Sequence, residues 1–287
     1  MSAIQFGVDI PAATSVDPIV AARRAEALGF DFVSTSDHPS GTEPSNEVWT
    51  ALCFVAAHTS RIRFMPRVLG VPYRQPAMVA KMAETLDRLS GGRLILGLGG
   101  GASDEEFGAM GIGVPRARDK IDGLAEAIEI IRGLWTAPAL SYAGRLYRTD
   151  AAPMEPKPAR AIPIWLGTFG PRALAVTGRL ADGWIPSLGY ASRERLPQMR
   201  DAVARAADAA GRSIDDITCA LNVEVRVDAG AAGSDALTGP ADRIAESLVD
   251  LAGVGFTTFN LKPSGPGYAD QVDRLAREVV PALRTTT

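Results

Sequence analysis

An α/β fold, in the form of a single (β/α)8 TIM barrel with a small insertion after the fourth helix, is what three observations predict. Short apolar runs alternate with helical patterns eight times, with no internal sequence repeat. The 287 residues exceed the usual size of one domain, yet barrels of about 250 residues are routinely a single unit, so residues 1–287 read as one domain. One apolar run, Phe30 to His38 (FDFVSTSDH), ends in Ser36, Asp37 and His38. A buried parallel strand tolerates such an ending only where it emerges into a pocket, and in α/β folds pockets sit at the carboxyl ends of strands. A doubly wound sheet with an extra domain is the structural alternative.

Taken in order, Phe6 to Ile10 is the first strand. Asp17-Pro18 is an N-cap followed by proline at the first helical position, and the helix runs to about Leu28, where Gly29 supplies a left-handed stop. The FDFVSTSDH strand follows, then a loop with Pro39, Gly41 and Pro44 and a helix around Val48 to Thr59. Ile62 to Leu69 is the third strand, and Gln75-Pro76 opens a helix that closes at Ser90-Gly91-Gly92. Leu94 to Leu98 is the fourth strand. Arg118 to Leu134 is the fourth helix, with Ile121, Leu124, Ile128 and Ile131 at helical spacing.

The insertion comes next. Tyr142, Leu146 and Tyr147 around Gly144 suggest a hairpin, and PMEPKPARAIP is a proline-rich connector. Ile164 to Leu166, Gly183 to Pro186, Ile217 to Val227 and Phe256 to Leu261 are strands five to eight. Helices follow Gly170-Pro171 and cover Arg193 to Ala210, Pro240 to Leu251 and Tyr268 to Arg284, while Ala229 to Gly239 reads as a mobile small-residue loop.

Composition excludes several classes. Hydrophobic content of 46% and charged content of 22% are ordinary globular usage. A net charge of -3, with both signs interspersed, leaves no basic footprint for nucleic acid. No run is long enough to span a membrane, and the N-terminus lacks a secretory pattern. Cys53 and Cys219 have neither metal nor redox spacing, which predicts no metal site and a reduced, cytoplasmic setting.

His38 stands where chemistry is expected, although a satisfied histidine at a strand-to-loop junction is the plainer reading; His58, late in a helix, reads as structural. Gly97 to Gly101 follows a strand but lacks the helix start and downstream acid of a dinucleotide fingerprint. Its glycines instead suit close approach of a flat ring to the backbone. Gly167, Thr168, Phe169, Gly170 and Pro171 precede a helix whose free N–H groups, with Arg172, make an anion site; a tight turn explains them equally well. Asp9 either orients a substrate or caps its loop, the loop cap being preferred. Trp49 and Tyr73 line an apolar substrate pocket or belong to the core. Asp104 and Glu106 are solvated or begin a short helix.

The segment LDRLSGGRLILGLGGG (Leu86 to Gly101), the SDH strand end, VLGVPYRQP and ADGWIP together resemble the luciferase-like flavin- and deazaflavin-dependent oxidoreductases, closest to the branch using coenzyme F420. The resemblance runs from Phe6 to about Pro186. It implies a usually dimeric barrel that moves a hydride between F420 and a small-molecule substrate, with FMN-dependent monooxygenation on the same barrel, or non-catalytic coenzyme binding, as alternatives. His38 would be the proton donor or acceptor over the ring, beside Asp37 and Gly99. Arg67 and Val68 would be joined by a cis peptide forming a bulge that backs the ring. Gly167 to Pro171 would bind the coenzyme phosphate, and Arg172, Arg74 and Arg193 its acidic tail. Trp49, Leu52, Phe54 and Val55 would supply part of a homodimer interface. The sugar-phosphate dehydrogenase branch has a glutamate directly after its glycines, where this chain has Ala102. The lysines of that branch are missing too, with Tyr190 near one such place, so a sugar phosphate is not the expected substrate.

Overall fold

Parallel pairing carries the chain around a closed path in sequence order, described here by a computed structural model over residues 4–228 and 236–284. β1 (Gln5–Asp9) pairs with β2 (Phe32–Thr35), and β2 with β3 (Arg63–Pro66). The third barrel strand is split. β3 stops at Pro66, the Arg67–Val68 peptide is cis, and β4 (Leu69–Gly70) resumes beside β5 (Leu96–Gly99). Phe64 closes β3 onto the approach to β5, its N–H reaching the Arg93 carbonyl at 3.1 Å and its carbonyl accepting from Ile95 at 3.0 Å. An antiparallel hairpin, β6 (Ala139–Ala143) and β7 (Arg148–Pro153), stands outside the barrel. The path continues through β8 (Ile164–Leu166), β9 (Gly183–Trp184) and β10 (Thr218–Val227). β11 (Leu237–Gly239) lies alongside β10, and β12 (Thr258–Pro263) pairs with both β10 and β1. The result is the expected (β/α)8 TIM barrel with one broken strand.

Helices cover the outside. They are α1 (Pro18–Ala27), α2 (Val48–His58), α3 (Pro76–Leu89), α4 (Asp104–Ala109), α5 (Ala117–Thr136), α6 (Pro171–Leu180), α7 (Leu196–Asp208) and α8 (Ala241–Gly253). Their starts follow local chemistry: the Asp17 carboxylate accepts the N–H groups of Ile19 and Val20, satisfying donors the first turn leaves free. The insertion hairpin is fixed to α5 by Glu126, which accepts the N–H groups of Arg145, Leu146 and Tyr147, each at 2.9 Å.

Several boundaries besides the broken third strand differ from the sequence reading. The sixth strand is Gly183–Trp184 only, although the Ile185 N–H still bonds the Leu166 carbonyl and the Pro186 carbonyl still accepts from Asn222, both at 2.9 Å. The last helix is not uniform: α9 (Tyr268–Arg274) widens into a π stretch at Leu275–Val279 before α10 (Val280–Arg284), with Pro281, which has no N–H to give the helical ladder, just beyond. Of the loop expected at Ala229 to Gly239, residues 229–235 lie outside the described residues, and Leu237–Gly239 is strand.

The barrel interior is filled in layers. Phe32, Met65, Ile95, Trp165, Ile185 and Ala220 form one apolar layer, with the Phe32 and Trp165 rings edge-on at 5.9 Å. Neighbouring strands make room with glycine. A Cβ on Gly7 would stand 2.2 Å from the Phe32 ring, and one on Gly183 would stand 2.4 Å from Trp165. Two residues further along the strands, on the same inward face, the lining turns polar: Ser34 after Phe32, Arg67 after Met65, Asn222 after Ala220. The switch from apolar to polar marks the carboxyl ends of the strands as the mouth.

Candidate active site

The mouth opens into a cavity of about 360 Å³. β2 delivers its first two groups. The Asp37 carboxylate, with a side chain 1% exposed, accepts from both terminal nitrogens of Arg74 (2.8 and 3.1 Å) and from the Gly70 N–H at 2.8 Å. These bonds tie the end of β2 to β4 and to the approach of α3, and so set where the next residue, His38, projects.

His38 Nδ1 lies 2.8 Å from Glu106 Oε1, and the Tyr73 hydroxyl donates to Glu106 Oε2 at 2.8 Å. The imidazole is 54% exposed whereas Glu106 is 13% exposed, so the ring faces the opening and its partner is sheltered. A carboxylate accepts only, so in the neutral imidazole the proton sits on Nδ1 and Nε2 carries the lone pair. Burial, and then the bond to Glu106, push the Tyr73 phenol well above its ordinary pKa, so it stays a donor. Glu106 reaches this position because Ser103 caps α4, its hydroxyl accepting the Glu106 N–H at 3.2 Å.

Val68, carried inward at the break in the third strand, backs one wall. A Cβ on Gly99 would come within 2.6 Å of its Cγ2, and one on Gly167 within 3.2 Å. Glycine at 99 and 167 thus makes room for the Val68 side chain, and Val68, Gly99, Gly100 and Gly167 together line this side of the cavity. Phe169 and Tyr190 flank the opening with ring centroids 5.6 Å apart. Below, a buried polar chain crosses the barrel. Arg67 Nε and Ser34 Oγ donate to Asp9 at 2.7 and 2.8 Å, and Asn260 Nδ2 donates to Ser34 and to Asn222, both at 2.9 Å.

Of the residues singled out from the sequence, Asp37, His38, Arg67, Val68, Tyr73, Gly99, Gly167 and Phe169 line this cavity. Others are placed differently. Asp9 is neither a loop cap nor a cavity residue; it is the buried counter-ion of Arg67. Trp49 lines a separate groove between α2 and α3, since helical spacing turns it, with Leu52 and Val55, away from the mouth. The Thr168 hydroxyl meets that of Thr177 at 2.7 Å under α6, so its side chain points away from the opening. Gly170 and Pro171 form the start of α6, which has no side-chain cap, and Arg172 turns aside to Asp122 at 2.8 Å. Arg74, held by Asp37 and Glu47, is not a free cation either.

Asp104 and Glu106 do begin a short helix, α4, and Glu106 in addition lines the cavity. The signal that locates it is Ser103 followed three residues later by an acid, directly after a strand-ending glycine run. Asn222, Ile185 and Ser187 also line the cavity and had no local signal. No group of three or more His, Cys, Asp and Glu among the described residues is placed to hold a metal ion.

Comparison with known proteins bears on family and fold. A family model described as luciferase-like monooxygenase matches residues 3–233. The chain is 34% identical over 215 residues to an F420-dependent glucose-6-phosphate dehydrogenase of Nakamurella multipartita, covering 71% of this chain and 61% of that one. It is 36% identical over 208 residues to an F420-dependent hydroxymycolic acid dehydrogenase of Mycobacterium tuberculosis, covering 68% of this chain and 55% of that one. The chain thus spans roughly three fifths of the length of these curated relatives. Among solved structures, an F420-dependent secondary alcohol dehydrogenase superposes with a TM-score of 0.87 at 19% identity, covering 98% of this chain and 99% of that one. The F420-dependent tetrahydromethanopterin reductase of Methanopyrus kandleri gives 0.83 at 21% identity, covering 98% and 100%. At these identities the structural likeness concerns the fold.

Proposed function

We infer that this chain, which belongs to the luciferase-like monooxygenase family, is an F420-dependent oxidoreductase that transfers a hydride between the coenzyme and a small organic substrate. The observation that carries the reading is the Tyr73–Glu106–His38 chain of hydrogen bonds in the same cavity as a wall of Val68 and glycines. The wall suits a planar ring system, and relatives in the family are named for F420. When bound, the coenzyme supplies a deazaflavin ring that accepts or returns a hydride. Gly167 and Phe169, leading into the uncapped first turn of α6, suit its phosphate.

His38 exchanges the proton. In the direction of alcohol oxidation the substrate C–H bond gives up a hydride, the hydroxyl proton passes to His38 Nε2, and a C=O bond forms. In reverse His38 returns the proton. Glu106 fixes the tautomer and stabilises the imidazolium as it forms, while Tyr73 holds Glu106 in place. Asp37 and Arg74 act earlier, by anchoring the strand end that carries His38.

Two further parts of the reading concern setting. A cytoplasmic location suits the free thiols of Cys53 and Cys219. A homodimer suits the outer face of α1 to α3, where Val20, Phe54, Met78 and Leu89 are exposed beside the groove lined by Trp49, Cys53 and Met82. Of the four interface residues expected from sequence Phe54 is exposed and Trp49 lines the groove, whereas Leu52 and Val55 are buried.

The test is a fluorescence and absorbance titration of the purified protein with F420 and with FMN. F420 is expected to bind more tightly. Equal or tighter FMN binding, with flavin reduction and oxygen uptake, moves the assignment to a monooxygenase.

A further inference from the structure

The two halves of the mouth are built differently. From the break in the third strand, Val68 leans towards Gly99 at the end of β5 and Gly167 just after β8, the half read above as the coenzyme wall. Arg67 reaches the other way, to Asp9 at the end of β1. From there the buried chain passes through Ser34 on β2, Asn260 on β12 and Asn222 on β10. His38 follows β2 and so stands beside this polar half. The chain ends at Ser187, whose Oγ accepts from Asn222 Nδ2 at 3.1 Å. Arg67, Asn222 and Ser187 all line the cavity.

The Arg67 guanidinium has donors left over. Nε donates to Asp9 at 2.7 Å and Nη2 reaches it at 3.4 Å, whereas Nη1 has no acceptor among the described residues. Nη1 is not sealed in either: among the described residues the buried side-chain nitrogens and oxygens without a partner are Arg200 Nε and the Tyr268 hydroxyl. The apolar layer of Phe32, Met65 and Trp165 closes the barrel on the inner side, so the 14% exposure of the Arg67 side chain comes from the mouth. Charge at this spot is balanced. Arg67 is the one Lys or Arg lining the cavity among the described residues, Asp9 matches it, and Glu106 adds a further carboxylate to the same cavity. Further out, Glu224 and Lys262 are register partners of opposite sign, and a Cβ on Gly265 would stand 2.7 Å from the Arg226 guanidinium. A carboxylate or phosphate at Nη1 would meet Asp9 behind the donor, and an excess charge in a sheltered site is costly. An uncharged oxygen accepts the same hydrogen bond without that cost.

We propose that Arg67 Nη1 binds an uncharged carbonyl oxygen of the substrate, that of an ester, amide or ketone beside the reacting carbon, and that Asp9 excludes anionic substrates by keeping this donor site neutral. Arg67 is then a substrate-binding residue and Asp9 a positioning residue that acts through it. The proposal rests on the hydride-transfer reading above. The acceptor belongs to the substrate because the guanidinium lies in the half of the mouth that carries His38, away from the Val68 and glycine wall.

Two pairs of compounds test it, each an ester and its acid. Methyl 3-hydroxybutyrate and 3-hydroxybutyrate are compared by kcat/KM for F420 reduction. Methyl acetoacetate and acetoacetate are compared by calorimetric titration into the protein, with and without F420. In the wild type the ester should be favoured about tenfold or more in both measurements, the scale of a hydrogen bond to a charged donor. Asp9→Asn leaves the Arg67 charge unmatched, so the preference should reverse towards the acid, a change that a merely structural role for Asp9 would not produce. Because that variant buries an unpaired charge, the double variant Asp9→Asn, Arg67→Gln, which buries none, serves beside it, with thermal melting to check its fold. It should bind the ester about tenfold or more weaker than the wild type does. Equal treatment of ester and acid by the wild type, an unchanged preference in folded Asp9→Asn, or full ester affinity in the double variant overturns the proposal. So does a double variant that loses F420 affinity alone, which would give the donor to the coenzyme. Absence of F420 reduction with both alcohols would count against hydride transfer, and the acetoacetate titrations would still decide the site.

Discussion

Glu106→Gln separates the proton-handling chain from the coenzyme wall more sharply than any other single change. The substitution keeps the size of the side chain and leaves a carbonyl oxygen for the Tyr73 hydroxyl, but it removes the charge that faces His38 at 2.8 Å. A hydrogen bond to a charged group contributes about 1.5–3 kcal/mol, which at about 1.4 kcal/mol per decade corresponds to roughly tenfold to 150-fold in rate. The imidazole is 54% exposed, so solvent screens the pair and the lower part of that range applies. We expect kcat to fall about tenfold to thirtyfold with F420 and substrate both saturating. The F420 dissociation constant should not change, because Glu106 takes no part in the Val68 and glycine wall. Stopped-flow reduction of F420 reads the first quantity and equilibrium fluorescence the second. An unchanged kcat would remove Glu106 from proton transfer and leave it a support for α4. A loss confined to coenzyme affinity would refute the division of labour itself.

Three other outcomes follow from the same geometry. His38→Ala should lower turnover by about 10²- to 10⁴-fold while coenzyme affinity stays within severalfold, and an undiminished kcat would exclude the histidine. Gly183→Ala forces a methyl to within 2.4 Å of Trp165 in the barrel interior, so thermal unfolding should move down by several degrees, in line with an overpacking cost of about 1–3 kcal/mol. Light scattering should give twice the 30.2 kDa chain mass, and Phe54→Glu combined with Leu89→Glu should return it to the monomer; a wild-type mass near 30.2 kDa would end the dimer reading.

The order of strands and helices was legible because its determinants are local. Asp17-Pro18 starts a helix and Gly29 ends one whatever the rest of the chain does, and both hold in the fold. The polar ending of β2 placed His38 at the mouth for the same reason: a strand cannot bury Ser-Asp-His, so it must be leaving the core. The family resemblance added the cis bond at Arg67–Val68, which is present. What local pattern could not carry is pairing across the barrel. Glu106 is 68 residues from His38 and 33 from Tyr73, and only the closure of the sheet brings β2, the approach to α3 and α4 to one opening. Asp9 and Arg67, 58 residues apart, form an ion pair for the same reason, which turned an expected loop cap into a buried support. Trp49 shows the converse: its aromatic ring carried no information about which side of α2 would face the barrel, and the packing of α2 on α3 put it in an outer groove. Turn and cap chemistry is written over a few residues and can be read there, whereas the partner of a charged or aromatic side chain is chosen by the closing of the barrel.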